Sequence, residues 1–277
     1  KRGTWSKILP FSIFRNSFYK EAYVWGKGKP TEDPFKTRPT QTNLGEDSYF
    51  LVETDRHLTF GVSDGVGGWT LEKDGRPDLI SQGFMKHCEQ VTREYDSLSL
   101  SAGIASQIIF AQAYERLQQN PPGLGSATAL VFNISPYQEQ YLASVHFLGD
   151  SGFTVLRKKD NEYSMQVAPA FQRIDETPFQ LACKITKEME AIGTMNNKPG
   201  EGVPACILLE KGDIVLAATD GLWDNLKNDT IIEMCRKTDK ETPSGDEFCK
   251  KFTHDMMRAI MKNWAKFDDV TMVAVRL

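Results

Sequence analysis

Apolar residues run or alternate over seven short stretches of the chain: 49–52, 57–62, 128–134, 141–148, 153–156, 214–218 and 270–275. Each is rich in β-branched or aromatic residues and bounded by turn formers, which predicts strands. Between the early strands the apolar spacing changes to that of a helix. Over 78–95, Leu79, Phe84, His87, Cys88 and Val91 fall roughly on one face, and over 100–117 Ile104, Ile108, Ala111 and Leu117 do likewise. Segments 230–237 and 246–264 also predict helices. Strands gather in the middle of the chain and helices come in pairs. That order favours α+β with antiparallel sheets over an alternating β-α-β sheet.

Two stretches read as connections. Residues 26–46 carry Gly26, Gly28, Pro30, Pro34 and Pro39 among charges and threonines, and residues 193–204 carry Gly193, Asn196, Asn197, Pro199, Gly200, Gly202 and Pro204. Related motifs lie on both sides of each, so neither marks a domain boundary. The expectation is a single domain over 26–277, preceded by a segment, 1–25, that leads into the first strand. The chain starts at Lys1, and residues 1–20 hold Lys1, Arg2, Lys7, Arg15 and Lys20 with no acid before Glu21. Ser6, Ser12 and Ser17 stand there among Trp5, Ile8, Leu9, Phe11, Ile13, Phe14 and Phe18. Two readings stand side by side: a mitochondrial presequence or its remnant, and a segment whose aromatics dock on the core. Pro10 argues against one long helix. An upstream targeting or membrane segment stays open.

Composition changes this picture little. Of 277 residues, 33 are Lys or Arg and 37 are Asp or Glu, a net charge of −4. The 40% hydrophobic and 25% charged content is that of a globular chain and excludes a collagen-like rod or a disulfide-stapled miniprotein. Nothing in this balance points to nucleic acid. No apolar run approaches the roughly 20 residues of a membrane-spanning helix. The five cysteines, Cys88, Cys183, Cys206, Cys235 and Cys249, form no C-x-x-C pair, so free thiols in a reducing compartment are expected.

The chemistry lies where strands end. Segment 57–62 runs into Ser63-Asp64-Gly65, 141–148 into Gly149-Asp150-Ser151-Gly152, and 213–218 into Thr219-Asp220-Gly221. One such exit is usually only a turn. Three of them, two with the same [ST]-D-G ending, can bring carboxylates together if the strands lie side by side. Gly45-Glu46-Asp47 precedes a strand, Asp268-Asp269 precedes the last strand, and Asp224 follows Asp220 by four. These are hard oxygen donors with no His or Cys cluster nearby, which suits Mg²⁺ or Mn²⁺ rather than zinc. Two such ions sharing a carboxylate activate water and clamp a phosphoryl oxygen, so the residues point to a dimetal hydrolase.

Competing motifs carry less. Gly61-Val62-Ser63-Asp64-Gly65 matches the G-x-S-x-G nucleophile elbow, but its first Gly falls inside the predicted strand and no long helix follows. Gly149-Asp150-Ser151-Gly152 resembles a serine-protease loop, yet His57, His87 and His146 stand in no triad context. Gly26-Lys27-Gly28-Lys29 lacks P-loop spacing. His146 reads as a half-buried core histidine. Trp69 and Trp223 read as packing beneath the Asp-Gly sites.

Taken in order, Gly45-Glu46-Asp47, Asp64-Gly65-Val66-Gly67-Gly68, Gly125-Ser126-Ala127-Thr128, Gly149-Asp150-Ser151, Ala218-Thr219-Asp220-Gly221-Leu222-Trp223-Asp224 and Asp268-Asp269-Val270-Thr271 resemble the metal-dependent Ser/Thr protein phosphatases of the 2C type. The motifs span 45–275. Asp-Gly-Val-Gly-Gly-Trp and Thr177-Pro178-Phe179-Gln180-Leu181 resemble the branch containing mitochondrial phosphatases, associated with matrix metabolism including coenzyme Q biosynthesis. The resemblance implies a sandwich of two antiparallel β-sheets flanked by helix pairs, four layers α-β-β-α. It implies Mn²⁺ or Mg²⁺, two ions and a possible third, bridged by Asp64. The Gly65 carbonyl, Glu46 and Asp47 would serve one ion, and Asp220 and Asp268 (not Asp269) the other. Asp150 and Asp224 would match an accessory ion. Asp64 and Asp220 would be the central catalytic carboxylates.

The activity so implied is hydrolysis of phosphoserine and phosphothreonine on proteins by a dimetal-activated water. The expected location is mitochondrial, with the matrix favoured, and the expected partners are phosphoproteins, among them mitochondrial metabolic enzymes, not nucleic acid. Two positions depart from the pattern. Val66 stands where many relatives have a His that protonates the leaving group, and Thr42 where many have a phosphate-binding Arg; Arg38 is the nearest alternative in sequence. These departures keep a second class open, a pseudophosphatase that binds a partner without turnover. A metal-dependent nuclease would fit the carboxylates but lacks a basic groove signal.

Overall fold

A computed structural model describes residues 19–25, 45–95, 102–242 and 245–277. The basic stretch 1–18 and the polar connection 26–44, with Thr42 and Arg38, lie outside the described residues. The early elements are β1 (Tyr19–Trp25), β2 (Asp47–Glu53), β3 (Leu58–Asp64), α1 (Pro77–Tyr95) and α2 (Ala105–Gln119). The central strands are β4 (Gly125–Ala127), β5 (Ala129–Tyr137), β6 (Gln140–Leu148), β7 (Gly152–Lys159) and β8 (Glu162–Val167). Short pieces follow: β9 (Arg173–Ile174), β10 (Thr177–Pro178), β11 (Leu181–Cys183) and α3 (Lys187–Ala191). The chain closes with β12 (Val203–Leu209), β13 (Ile214–Ala218), α4 (Asp220–Trp223), α5 (Asn228–Glu241), α6 (Gly245–Lys262) and β14 (Val270–Arg276).

Two five-stranded antiparallel sheets carry the fold, in the orders β1-β14-β13-β7-β8 and β12-β6-β5-β3-β2. Alternation along each strand sorts the side chains into three apolar layers. Leu58, Phe60 and Val62 of β3 and Leu130, Phe132 and Ile134 of β5 point between the sheets, where they meet Val215, Ala217, Val273 and Val275. The other face of β5, through Ala129 and Val131, packs on Ile80, Phe84, Phe110 and Leu117 of α1 and α2. Ile214, Leu216, Met272 and Ala274 pack on Ile231, Phe248, Phe252 and Met256 of α5 and α6. Sheets covered on both faces explain why a central strand such as β13 is apolar throughout, and the four layers α-β-β-α are those expected.

Several helix ends differ from the sequence reading. The segment 100–117 enters through a 3₁₀ turn, Ala102–Ile104, and becomes α-helical only at Ala105. Gly103 disfavours the helix there, so Ile104 is 46% exposed and the buried face is Ala105, Ile109, Phe110, Ala113 and Leu117. The last helix stops at Lys262 rather than 264. The Asn225 side-chain carbonyl accepts from Ala265 N at 2.8 Å and Lys266 N at 3.0 Å and draws the chain off the helix axis. Helix α5 is longer than 230–237 at both ends. The stretch 193–204 ends inside β12, whose Pro204 is tolerated because β12 is an edge strand and needs no donor outward. Residues 19–25 form an edge of the other sheet, paired with β14 from Tyr19↔Arg276 to Trp25↔Val270. Among the described residues no helix is long and apolar enough to cross a membrane.

Candidate metal centre

Close backbone contacts gather the strand exits at one end of the sandwich. Gly65 N donates to Glu46 O at 3.0 Å, and a Cβ on Gly65 would lie 2.7 Å from that oxygen. Gly221 sits against the entry to β14; a Cβ there would lie 1.8 Å from Asp269 O. Only glycine permits either approach. The first contact sets Asp64 beside Glu46, and the second sets Asp220 beside Asp268.

The result is an open cleft of about 440 Å³ lined by Glu46, Asp64, Gly65, Asp150, Asp220, Asp224 and Asp268. Of the residues singled out in the sequence, all but Asp47 reach it. Asp47 is 1% exposed and lies below, where its Oδ2 accepts from Thr219 Oγ1 at 2.8 Å. Thr219 Oγ1 in turn accepts from Thr271 N at 3.0 Å. Asp269 also turns inward and accepts from Glu46 N at 2.7 Å, so Asp268 is the member of that pair that faces the cleft.

So many acids in one place repel. Desolvation, then the charges of Asp47, Asp220, Asp268 and Asp150, hold Asp64 well above the ordinary carboxylate range. Burial and Asp269 do the same to Asp47, against the hydroxyls of Thr219 and Thr271. Asp150 is pushed up to about 6 by burial and by Asp220, with Arg173 opposing. Two cations from the cleft wall temper this charge. Lys266 Nζ lies 2.5 Å from Asp220, 2.9 Å from Asp224 and 3.4 Å from Asp268. Partial burial works against the Lys266 ammonium, yet its bonds to Asp220 and Asp224 raise its pKa above that of an ordinary lysine. Arg173 pairs with Asp150 at 2.9 Å.

These residues fit a hard divalent cation. Every donor is an oxygen, and Asp220 Oδ1 is buried without a hydrogen-bond partner, a costly condition that a cation would relieve. Among the described residues no three His, Cys, Asp or Glu stand together closely enough to hold a metal ion as they are. Lys266 and Arg173 pair with these acids instead.

The other motifs have structural places. Ser63 is fully buried and donates to Thr128 O at 2.6 Å, and Ser151 Oγ pairs with Thr128 Oγ1 at 2.7 Å, so neither is presented as a nucleophile. His146 packs edge-on against Phe110 at 4.6 Å and bonds Pro199 O. Trp69 donates to Ser126 Oγ and Trp223 to Ala218 O, both beneath the site. All five cysteines are free. Val66 lines the cleft and has no proton to give. Sequence reasoning missed Arg173 and Lys266. Lys266 stands two residues before Asp268, a usable signal; Arg173 opens the two-residue strand β9, too short to leave one.

Comparison with known proteins agrees with the fold. No family model matches the chain. The photosystem II phosphatase PBCP superposes with a TM-score of 0.64 at 19% identity, covering 94% of this chain and 98% of that one. The catalytic domain of the Ser/Thr phosphatase PstP, solved with two manganese ions, gives 0.55 at 18% identity over 94% and 97%. The chain therefore has the 2C-type phosphatase fold. In sequence it is 32% identical over 209 residues to the protein phosphatase PTC7 homolog fig of Drosophila virilis, 72% of this chain. The chain spans 60% of that relative's length, and 61% and 62% of two further Drosophila relatives. The chain is thus similar in sequence, at about 30% identity, to protein phosphatases named PTC7 homologs, and it shares the fold of the 2C-type phosphatases.

Proposed function

We propose that this chain hydrolyses phosphoserine and phosphothreonine on proteins with the help of Mn²⁺ or Mg²⁺. The observation that carries this is the convergence of Glu46, Asp64, Gly65, Asp220 and Asp268 on one open cleft. Asp64, central among the acids, would bridge two ions; the Gly65 carbonyl and Glu46 would complete one and Asp220 and Asp268 the other. When bound, the ions supply Lewis acidity: they acidify water and neutralise charge developing on phosphoryl oxygens. The chain's own groups do the rest. Asp47, held by Thr219, fixes the Asp64 strand exit from below. Lys266 yields its carboxylates to the ions. Val66 hands no proton to the leaving alkoxide, so protonation would fall to water held in the cleft.

The test is phosphate release from a phosphothreonine peptide with EDTA, Mg²⁺ or Mn²⁺, for wild type and Asp64→Asn. Release that needs metal and is lost in the variant, by roughly 10²-fold or more, supports the reading. A folded protein inert under every metal would sink it.

One observation favours the second class. Four of the carboxylates, Asp150, Asp220, Asp224 and Asp268, are already paired with Lys266 or Arg173, as they could stay in a pseudophosphatase that binds a phosphoprotein without turnover. Tight phosphopeptide binding with no metal-stimulated release would select it. The mitochondrial location rests on the basic, acid-free residues 1–20, and mitochondrial metabolic enzymes would then be the substrates. A reporter carrying residues 1–25 that stays outside mitochondria would remove that support.

A further inference from the structure

We propose that Arg173 binds the phosphoryl oxygens of the substrate, and does so from the place that the family resemblance gives to a third ion. The proposal rests on the hydrolase reading for its substrate. Nε and Nη2 of Arg173 both reach Asp150 Oδ2, at 3.0 and 2.9 Å, and Nη2 lies 3.8 Å from Asp224 Oδ1. The guanidinium thus stands between the two carboxylates expected to hold an accessory ion. Those contacts use Nε and Nη2 and leave Nη1 for a further acceptor. Arg173 lines the cleft with Asp64 and Asp220, its side chain 28% exposed.

The side chain is held in position rather than tethered loosely. The Phe171 ring lies under the guanidinium at 5.7 Å and itself leans on Trp223 at 6.4 Å. The loop carrying it is tied to the sandwich by Gln172 N donating to Gly149 O at 2.8 Å, and closed by Phe179 N donating to Gln172 O. A cleft this acidic repels a phosphate dianion, so it needs a cation whose charge is not wholly spent on its own carboxylates. Lys266 is a compact charge shared among three acids. Arg173 is a planar guanidinium whose Nη1 still offers its N–H groups to a phosphate oxygen.

The test uses the full chain loaded with Mn²⁺, as wild type, Arg173→Lys and Arg173→Gln, with circular dichroism to establish folding. Calorimetry with inorganic phosphate and kinetics on a phosphothreonine peptide are run in parallel. For Arg173→Gln, the phosphate Kd and the peptide KM should rise roughly 10- to 100-fold, with kcat falling less and Arg173→Lys in between. Calorimetric Mn²⁺ counts should be two for wild type, with a third, weaker ion in Arg173→Gln. A folded Arg173→Gln whose phosphate Kd stays within about twofold of wild type would overturn the proposal. So would three ions in wild type, or no phosphate binding by wild type at all. Wild type that binds phosphate through Arg173 but releases none from the peptide would uphold the anchor and reject the hydrolase reading.

Discussion

Lys266 sets one ammonium against Asp220, Asp224 and Asp268, where a divalent ion would share the same oxygens. A tethered cation and a free one then compete. The Lys266→Met variant should bind Mn²⁺ on the order of tenfold more tightly, the size of a partly screened charge pair, and should unfold at lower temperature in EDTA. Unchanged affinity would mean that the lysine moves aside at no cost. Asp150 gives a prediction in pH. Its pKa of about 6 in the folded chain lies above the ordinary 3.8. Between those values the folded chain holds more protons than the unfolded one, so this group's contribution to stability falls as pH rises and stays unfavourable above about 6. In EDTA, Asp150→Asn should therefore be the more stable protein at pH 7.5, by on the order of 1–3 kcal/mol. That lead should shrink as pH falls through 6 towards 4. Urea unfolding at several pH values checks this; a gap that does not vary with pH would contradict it.

At the scale of elements, the site depends on how closely α4 lies on the entry to β14. The Gly221→Ala substitution would put a Cβ 1.8 Å from Asp269 O, a backbone atom that cannot rotate away. The two elements must part, at a cost of roughly 3 kcal/mol or more, and Asp220 leaves Asp268. Thermal melts and Mn²⁺ titration should both report the change; a variant with wild-type Mn²⁺ affinity would show that the contact does not position the acids. This glycine was legible in the sequence because it follows an apolar strand and an acid. The central strands were legible for a related reason: β13 is an unbroken apolar run, and β3 and β14 interleave their apolar residues with only small or β-branched ones, Thr59, Gly61, Ser63 and Thr271. Strands β9 to β12 were not, because they are short or lie at an edge and carry Pro178 and Pro204. The site divides in the same way. Its carboxylates sit at strand exits with recurring neighbours, whereas Arg173 reaches the cleft from β9, a two-residue strand too short to show a periodicity. Asp47, adjacent to Glu46, could be named but not oriented, since the strand's alternation alone sends one inward and the other to the cleft.

Across the whole molecule, the cleft draws on both sheets. Glu46 and Asp64 come from the β2–β3 edge of one sheet, Asp220 and Asp268 from β13 and β14 of the other, and Asp150 from the crossing between β6 and β7. Without metal, the same acids push the sheets apart at this end, as the raised pKa values of Asp64, Asp47 and Asp150 record. Ions bound there would join the sheets and bind only the folded chain, so they should shift global unfolding by mass action. At Mn²⁺ about 100 times its Kd the gain is about 2.7 kcal/mol, or roughly 5–10 °C in Tm for a domain of this size. Asp64→Asn separates the two effects. It removes a repelled carboxylate, so its Tm in EDTA should equal or exceed that of wild type. It also removes the oxygen through which the two sheets' ions would be bridged, so most of the Mn²⁺ increment should vanish. Scanning calorimetry of both proteins with and without Mn²⁺ reads the two terms independently of catalysis. If Mn²⁺ stabilised Asp64→Asn as much as wild type, the ions would bind within one sheet, and the account of the cleft as a junction between the two would fail.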